Sequence, residues 1–203
     1  RDAAPARGGR VRGGLMDIRV LKNGGLLAHA SALHSLYVEA FCAPPWNEDE
    51  EKAIEFLGRL VGNVRRPGFT AALAFAETQA VGFATAWTTA APFPTDRCYP
   101  QAAAGLGAQR VVEWLCGARE IDELAVHPDT HGPGLAAALL QAVTADAPEG
   151  RSWLLTSARS PRAVSFYRRQ GWVQATHPAA EGEGIVVFLG PHHPARALAP
   201  LPL

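Results

Sequence analysis

Three cysteines in 203 residues (Cys42, Cys98, Cys116) are too few and too widely spaced for a disulfide frame. An odd set of separated thiols suits a reducing compartment, so a cytoplasmic protein is expected. The chain has no apolar run of about 18 residues, the length a membrane helix needs. It also lacks a charge excess: 19 basic and 19 acidic residues cancel. A neutral chain has no general electrostatic pull toward nucleic acid or an anionic membrane, and neither is expected as a partner. There is one methionine, Met16, and it opens the first strand-like run. The preceding segment, RDAAPARGGRVRGG, is basic but has no apolar stretch, so it does not read as a secretory signal. Residues 1–14 read as an upstream extension or a disordered tail, and 191–203, rich in Pro and Ala, as a loose end. No internal repeat is evident.

What is present is apolar material for one good core, at 48% hydrophobic residues. Alternation predicts a strand at Leu15 to Leu21. Leu27, Ala30, Leu33, Leu36, Tyr37 and Ala40 predict a helix over 26–41. Ala43-Pro44-Pro45-Trp46 breaks it. Asn47 reads as the cap of a second helix, with the acidic run Glu48-Asp49-Glu50-Glu51 as its first turn and Ile54, Leu57 and Val61 on its apolar face. Phe69 to Glu77 and Ala80 to Thr89 read as a hairpin turning near Thr78-Gln79. Residues 91–118 are an insertion with Pro, Gly and a short helical pattern at Val111 to Leu115. Further on come a strand at 120–126, a helix at 134–147, a strand at 152–156, a helix at 161–170, and strands at 172–176 and 185–189.

The stretch AVHPDTHGPGLAAALL, residues 125–140, carries the most chemistry. A strand (Leu124, Ala125, Val126) meets a turn with Gly132 and Gly134, and a helix follows at once. Glycines there let backbone approach a ligand, and the first helical turn offers N–H groups and the positive end of a dipole, which together suit phosphate. No Lys follows Gly134, so it is not a P-loop. A dinucleotide fingerprint fails more softly, because Ala137 can stand for the third glycine. Asp146 and Glu149, however, come too early to bind a ribose, which makes a nicotinamide oxidoreductase a distant reading.

A second stretch runs from Ser160 to Trp172. Ser160 suits an N-cap, Pro161 the first helical position and Gly171 the residue just past the end. Ala163, Phe166, Tyr167 and Gln170 share a face.

Together the two stretches resemble the GNAT superfamily of acyl-CoA-dependent N-acyltransferases. That family has a strand ending Leu-x-Val, then Gln/Arg-x-x-Gly-x-Gly/Ala opening a helix. Here Gly134 and Ala136 match, His131 replaces Gln or Arg, and Pro133 removes one N–H donor. It then has Asn-x-x-Ala-x-x-x-Tyr-x-x-x-Gly-Phe. Ala163, Tyr167 and Gly171 match in register, with Ser160 for Asn and Trp172 for Phe. The likeness covers roughly residues 15–190, which it marks as one acyltransferase domain. It implies a mixed α/β fold: a central, mostly antiparallel sheet of about seven strands flanked by helices, in the order βααβββαβαββ.

The resemblance also implies roles. Acetyl-CoA, or another acyl-CoA, would be co-substrate. The backbone of Leu124, Ala125 and Val126 would hold pantetheine. His131, Gly132, Gly134, Leu135 and Ala136 would hold the pyrophosphate, and Ser160 stands at a further cofactor position. Tyr167 aligns with the tyrosine that protonates the departing thiolate. Glu120 stands where some histone-acetylating relatives keep a glutamate base, and Glu123 is a second candidate. Alternation sends Glu120 and Asp122 to one face and Glu123 to the other. Some relatives carry a base on the next strand instead, where this chain has Leu155. Trp46 and Glu48 border the implied acceptor site, as the insertion would through Phe93, Arg97, Tyr99 and Trp114. The acceptor would be a small-molecule or peptide amine; a homodimer is left open.

Plainer readings stand beside these. His127 and His131 sit across a Pro-containing loop with no carboxylate or Cys set, so no metal site is expected. Ser157 and Ser165 have no His/Asp partners, which disfavours a serine hydrolase. The departures at His131, Pro133 and Ser160 keep open one alternative of another class, an acyl-CoA-binding sensor or regulatory module without turnover.

Overall fold

A computed structural model describes residues 16–42, 47–130, 134–178 and 184–199. It holds a seven-stranded, mostly antiparallel sheet flanked by helices, with strands in the order β1-β2-β3-β4-β5-β7-β6. The strands are β1 (Met16–Lys22), β2 (Thr70–Ala76), β3 (Gln79–Thr88), β4 (Arg119–Val126), β5 (Ser152–Ser157), β6 (Val173–Gln174) and β7 (Ile185–Leu189). The helices are α1 (Ala30–Phe41), α2 (Glu51–Asn63), α3 (Tyr99–Leu106), a single turn α4 (Ala108–Arg110), α5 (Leu135–Thr144) and α6 (Pro161–Arg169). The chain forms two compact units: 1–65, 70–85 and 124–143 in one, 66–69, 86–123 and 144–203 in the other.

In the first unit, β1 pairs antiparallel with β2 from Met16↔Ala76 to Lys22↔Thr70. Strand β2 is small and apolar (TAALAFA) and buried almost throughout, as a central strand with both faces covered must be. Helix α1 buries Leu33, Leu36 and Tyr37, three of the positions its periodicity marks, and a 3-10 turn, Asn23–His29, precedes it. Helix α2 differs from its sequence reading. Ala53, Phe56 and Leu60 face inward, while Ile54 and Val61 are 63% and 50% exposed. The reason is Phe56, whose ring stacks on Tyr37 at 4.9 Å and meets Phe83 at 5.5 Å. A large aromatic gains more from burial than the aliphatic residues beside it. Asn47 does not cap this helix. It has a left-handed φ of 48°, and the N-cap residue is Glu50.

Strand β3 carries Gly82 where α5 comes close. A Cβ there would lie 3.0 Å from Leu139 Cδ1 and 3.1 Å from the carbonyl oxygen of Ala125. The hairpin turns through Glu77, whose φ is 54°.

The second unit packs around Trp153, fully buried, with Tyr99, Leu106, Trp114, Leu115 and Val187. The insertion supplies more helix than its sequence suggested. Besides the expected turn at Val111–Leu115, which is π-helical, α3 forms over eight residues with Pro100 in its first turn. Its alanines carry little periodic signal, which is why the pattern at 99–106 is weak. Helix α6 starts at Pro161 and closes at Gly171 as expected, with Trp172 N–H donating to the Tyr167 carbonyl at 3.0 Å. The Ser160 hydroxyl makes no capping bond.

The described part of the chain's end, residues 191–199, is held rather than loose. His193 is buried at 2% exposure, its Nε2 lies 2.9 Å from the Trp114 carbonyl oxygen, and its Nδ1 accepts from Ala195 N–H. A short 3-10 helix, Pro194–Leu198, follows. The His193 ring, unremarkable in sequence, is the anchor.

A Gly82→Val substitution tests the close approach. Overpacking at this position should lower stability by about 2 kcal/mol, read as a reduced urea midpoint with unchanged m-value.

Candidate active site

The parallel ladder between β4 and β5 runs from Arg119↔Ser152 through Glu120↔Trp153 to Ile121↔Leu154. Both strands continue past that last rung, β4 to Val126 and β5 to Ser157. A cavity of about 170 Å³ opens there. Glu120, Ile121 and Asp122 of β4 line one side, and Leu155 and Ile185 give an apolar wall. Arg97, Cys98 and Tyr99, from the insertion, complete it.

Glu120 sits at the middle of a hydrogen-bond network. It is 5% exposed. Its Oε2 accepts from the Trp87 indole N–H and from the Thr89 hydroxyl, each at 3.1 Å. Its Oε1 accepts from the Tyr99 hydroxyl at 2.5 Å. Burial pushes the Glu120 carboxyl up to about 7; the Tyr99 bond opposes this, the charge of Asp122 adds to it, and Thr89 and Arg97 oppose it. A carboxylate that titrates near neutrality inside a cavity is suited to taking up and giving back a proton.

Asp122, two residues on, lines the same cavity, as strand alternation requires. Its carboxylate meets Arg97 at 2.8 Å. Burial works against the Arg97 charge, but Asp122 holds the guanidinium firmly protonated. Glu123 has the opposite parity. Tyr167, half-buried on α6, packs its ring against Phe166, Trp172 and Phe188. Burial, and then the charge of Glu123, pushes its phenol well above its ordinary range, so it stays protonated at neutral pH.

The remaining sequence candidates fall elsewhere. Leu124, Ala125 and Val126 end β4 in the first unit, with His127 N–H bonded to the Val81 carbonyl at 2.9 Å. Gly134 has a φ of 106°, a backbone that side chains rarely adopt, and open space where a Cβ would stand. Leu135 and Ala136 begin α5 beside it. Glu48 accepts from the Tyr37 hydroxyl at 2.9 Å. Ser160 is buried at the start of α6. His127 pairs with Glu39 at 3.1 Å. Trp46, His131, Gly132 and Pro133 lie outside the described residues. Among the described residues no cluster of His, Cys, Asp and Glu could hold a metal, and no helix is long and apolar enough to cross a membrane.

Sequence reading did not single out Trp87, Thr89 or Trp153. The first two share a face of the chain leaving β3, but only strand pairing brings them to Glu120. Arg97 and Tyr99 were named for the acceptor wall, and both line the cavity.

Residues 102–188 match a sequence profile described as an acetyltransferase (GNAT) domain. That match takes in under half of the chain, and over those residues the chain is similar to GNAT acetyltransferases. Solved structures agree in fold. A Thermus thermophilus acetyltransferase has 17% identity and a TM-score of 0.55, covering 86% of this chain and 95% of its own. A GNAT-family acetyltransferase from Bacillus cereus has 11% and 0.55, covering 87% and 96%. The PaiA N-acetyltransferase of Thermoplasma acidophilum, solved with coenzyme A, has 13% and 0.54, covering 86% and 98%. The chain is also 44% identical over 63 residues to a mycothiol acetyltransferase from Nocardiopsis dassonvillei. That match takes in 30% of this chain and 18% of the relative, so the chain spans under a fifth of that protein.

The raised Glu120 carboxyl has a measurable effect on folding. Because the folded state holds this proton more tightly than the unfolded chain does, the stabilising contribution is full below about 4.5 and is lost as pH rises through about 7. Wild type should lose on the order of 2–3 kcal/mol between pH 5 and 8 relative to Glu120→Gln, measured by urea unfolding of both proteins at each pH.

Proposed function

We propose that the chain transfers an acetyl group from acetyl-CoA directly to a primary amine, small-molecule or peptide, within a ternary complex. The observation that carries this reading is a carboxyl of near-neutral pKa, Glu120, in a cavity just past the last β4–β5 rung. The family match and the relative named for acetyl transfer support the reaction class.

An acyl-CoA suits the residues present. Gly134 leaves space where a side chain would stand, and the first turn of α5 directs N–H groups outward, a pairing that accommodates phosphate. Leu124, Ala125 and Val126 would hold the pantetheine arm, and Gly134, Leu135 and Ala136 the pyrophosphate, with His131 and Gly132. Ser160 would support the cofactor at the start of α6. When bound, the thioester supplies an activated acyl carbon.

The chain's own groups handle the protons. Glu120 takes the proton that the amine sheds as the new N–C bond forms. Tyr167, kept protonated, gives a proton to the sulfur as the C–S bond breaks. The charge of Glu123 helps keep Tyr167 protonated, which gives Glu123 a supporting role in this reading rather than the base's. Leu155 and Ile185 make the wall apolar, which strengthens the charge interactions inside. Glu48 and Trp46 are assigned, by the resemblance alone, to recognition of the acceptor amine.

Release of free thiol from acetyl-CoA across a panel of primary amines measures turnover. Glu120→Gln should lower kcat/KM roughly 100-fold and abolish an acid limb centred near pH 7. Tyr167→Phe should lower kcat about 10-fold or more with little change in KM for acetyl-CoA. Full turnover in Glu120→Gln and Glu123→Gln alike would remove the base from this reading, and full turnover in Tyr167→Phe the acid.

A further inference from the structure

The two oxygens of Glu120 are not equivalent. Oε2 faces the Trp87 indole, whose N–H can only donate. It also faces Thr89, whose hydroxyl has one proton to give. That hydroxyl oxygen accepts from the Trp153 indole N–H at 2.7 Å, so its proton points at Glu120. The Trp87 donor cannot reverse, and Thr89, with Trp153 already donating to its oxygen, is set as a second donor to Oε2. A proton on Oε2 would face the Trp87 N–H and would need Thr89 to turn its own proton away from the carboxyl. Oε1 has a different partner, the Tyr99 hydroxyl, which can accept as readily as it donates.

We propose that Glu120 takes up and releases its proton through Oε1 alone, with Tyr99 as the gate and with Trp153, acting through Thr89, as the positioning residue that closes Oε2. When Glu120 is ionised, Tyr99 donates to Oε1. When a proton arrives, the bond reverses: Oε1–H donates to the Tyr99 oxygen, and the Tyr99 hydrogen turns into the cavity that both residues line. On uptake the amine's N–H bond breaks and the Oε1–H bond forms, Tyr99 keeps its own O–H bond throughout, and the proton count balances. The charged and titratable groups around Glu120 are Tyr99, from α3, Arg97, from the segment before it, and Asp122, on its own strand. Arg97 favours the ionised form and Asp122 the neutral one. Neither is recorded as a hydrogen-bond partner of Oε2, so neither alters the asymmetry.

The proposal deepens the assignment of Glu120 as base and can fail separately from it. Infrared difference titration reads the carboxyl directly, with Glu120→Gln used to identify its band. If the proton sits on Oε1, the carbonyl of the neutral acid is C=Oε2, held down in frequency by Trp87 and Thr89. Thr89→Val should then raise the C=O frequency and move the titration midpoint up by about one pH unit, because a donor to the charged form is gone. Thr89→Ser should restore both. Tyr99→Phe should leave the C=O frequency near wild type while removing the acceptor for the acid O–H. The reverse pattern, with the C=O band moved by Tyr99→Phe and not by Thr89→Val, places the proton on Oε2 and overturns the proposal. Full turnover in Glu120→Gln would instead remove the base assignment and leave the infrared result standing.

Discussion

The ladder between β4 and β5 ends at Ile121↔Leu154, and the chemistry of the second unit depends on that ending. A longer ladder would draw Asp122 and Leu155 into register and close the cavity. A shorter one would release Glu120 from its pairing with Trp153. Parallel pairing fixes Glu120 beside the tryptophan whose indole orients Thr89. Backbone register therefore sets a side-chain proton pattern. Glu120 is placed by the sheet, as are Trp87 on β3 and Trp153 on β5, while Tyr99 comes from α3.

The charges in this region are balanced at short range. Asp122 is matched by Arg97, and Glu120 by three neutral donors rather than by a cation. That difference is consistent with the Glu120 carboxyl being raised to about 7. A direct ion pair holds a charge, whereas neutral donors only partly offset the loss of water. Arg97 reaches this position with a left-handed backbone, φ 53°, uncommon for a residue with a side chain. It sits in the insertion.

Much of the fold was legible because two periods and a few end signals carry it. Strands β1, β3 and β7 and helix α6 follow their sequence boundaries within one or two residues. The parity of Glu120, Asp122 and Glu123 followed from alternation alone. What was not legible came from packing. Nothing local tells that Phe56 outweighs Ile54 and Val61 for the inner face of α2. The alanine-rich α3 hides its period. Trp87, Thr89 and Trp153 lie 33, 31 and 33 positions from Glu120, and pairing across the sheet is needed to bring such residues together. The loose end expected after residue 190 failed on one side chain, His193, whose two ring nitrogens are both engaged.

The described tryptophans are distributed unevenly. Trp87, Trp114, Trp153 and Trp172 all belong to the second unit, and all are buried. Intrinsic fluorescence from these four therefore reports on that unit, which also holds the carboxyl cavity. Far-ultraviolet dichroism follows the helices of both units, α1, α2 and α5 of the first with α3 and α6 of the second. A gap between the two signals on heating would be a direct optical measure of whether the sheet melts as one body.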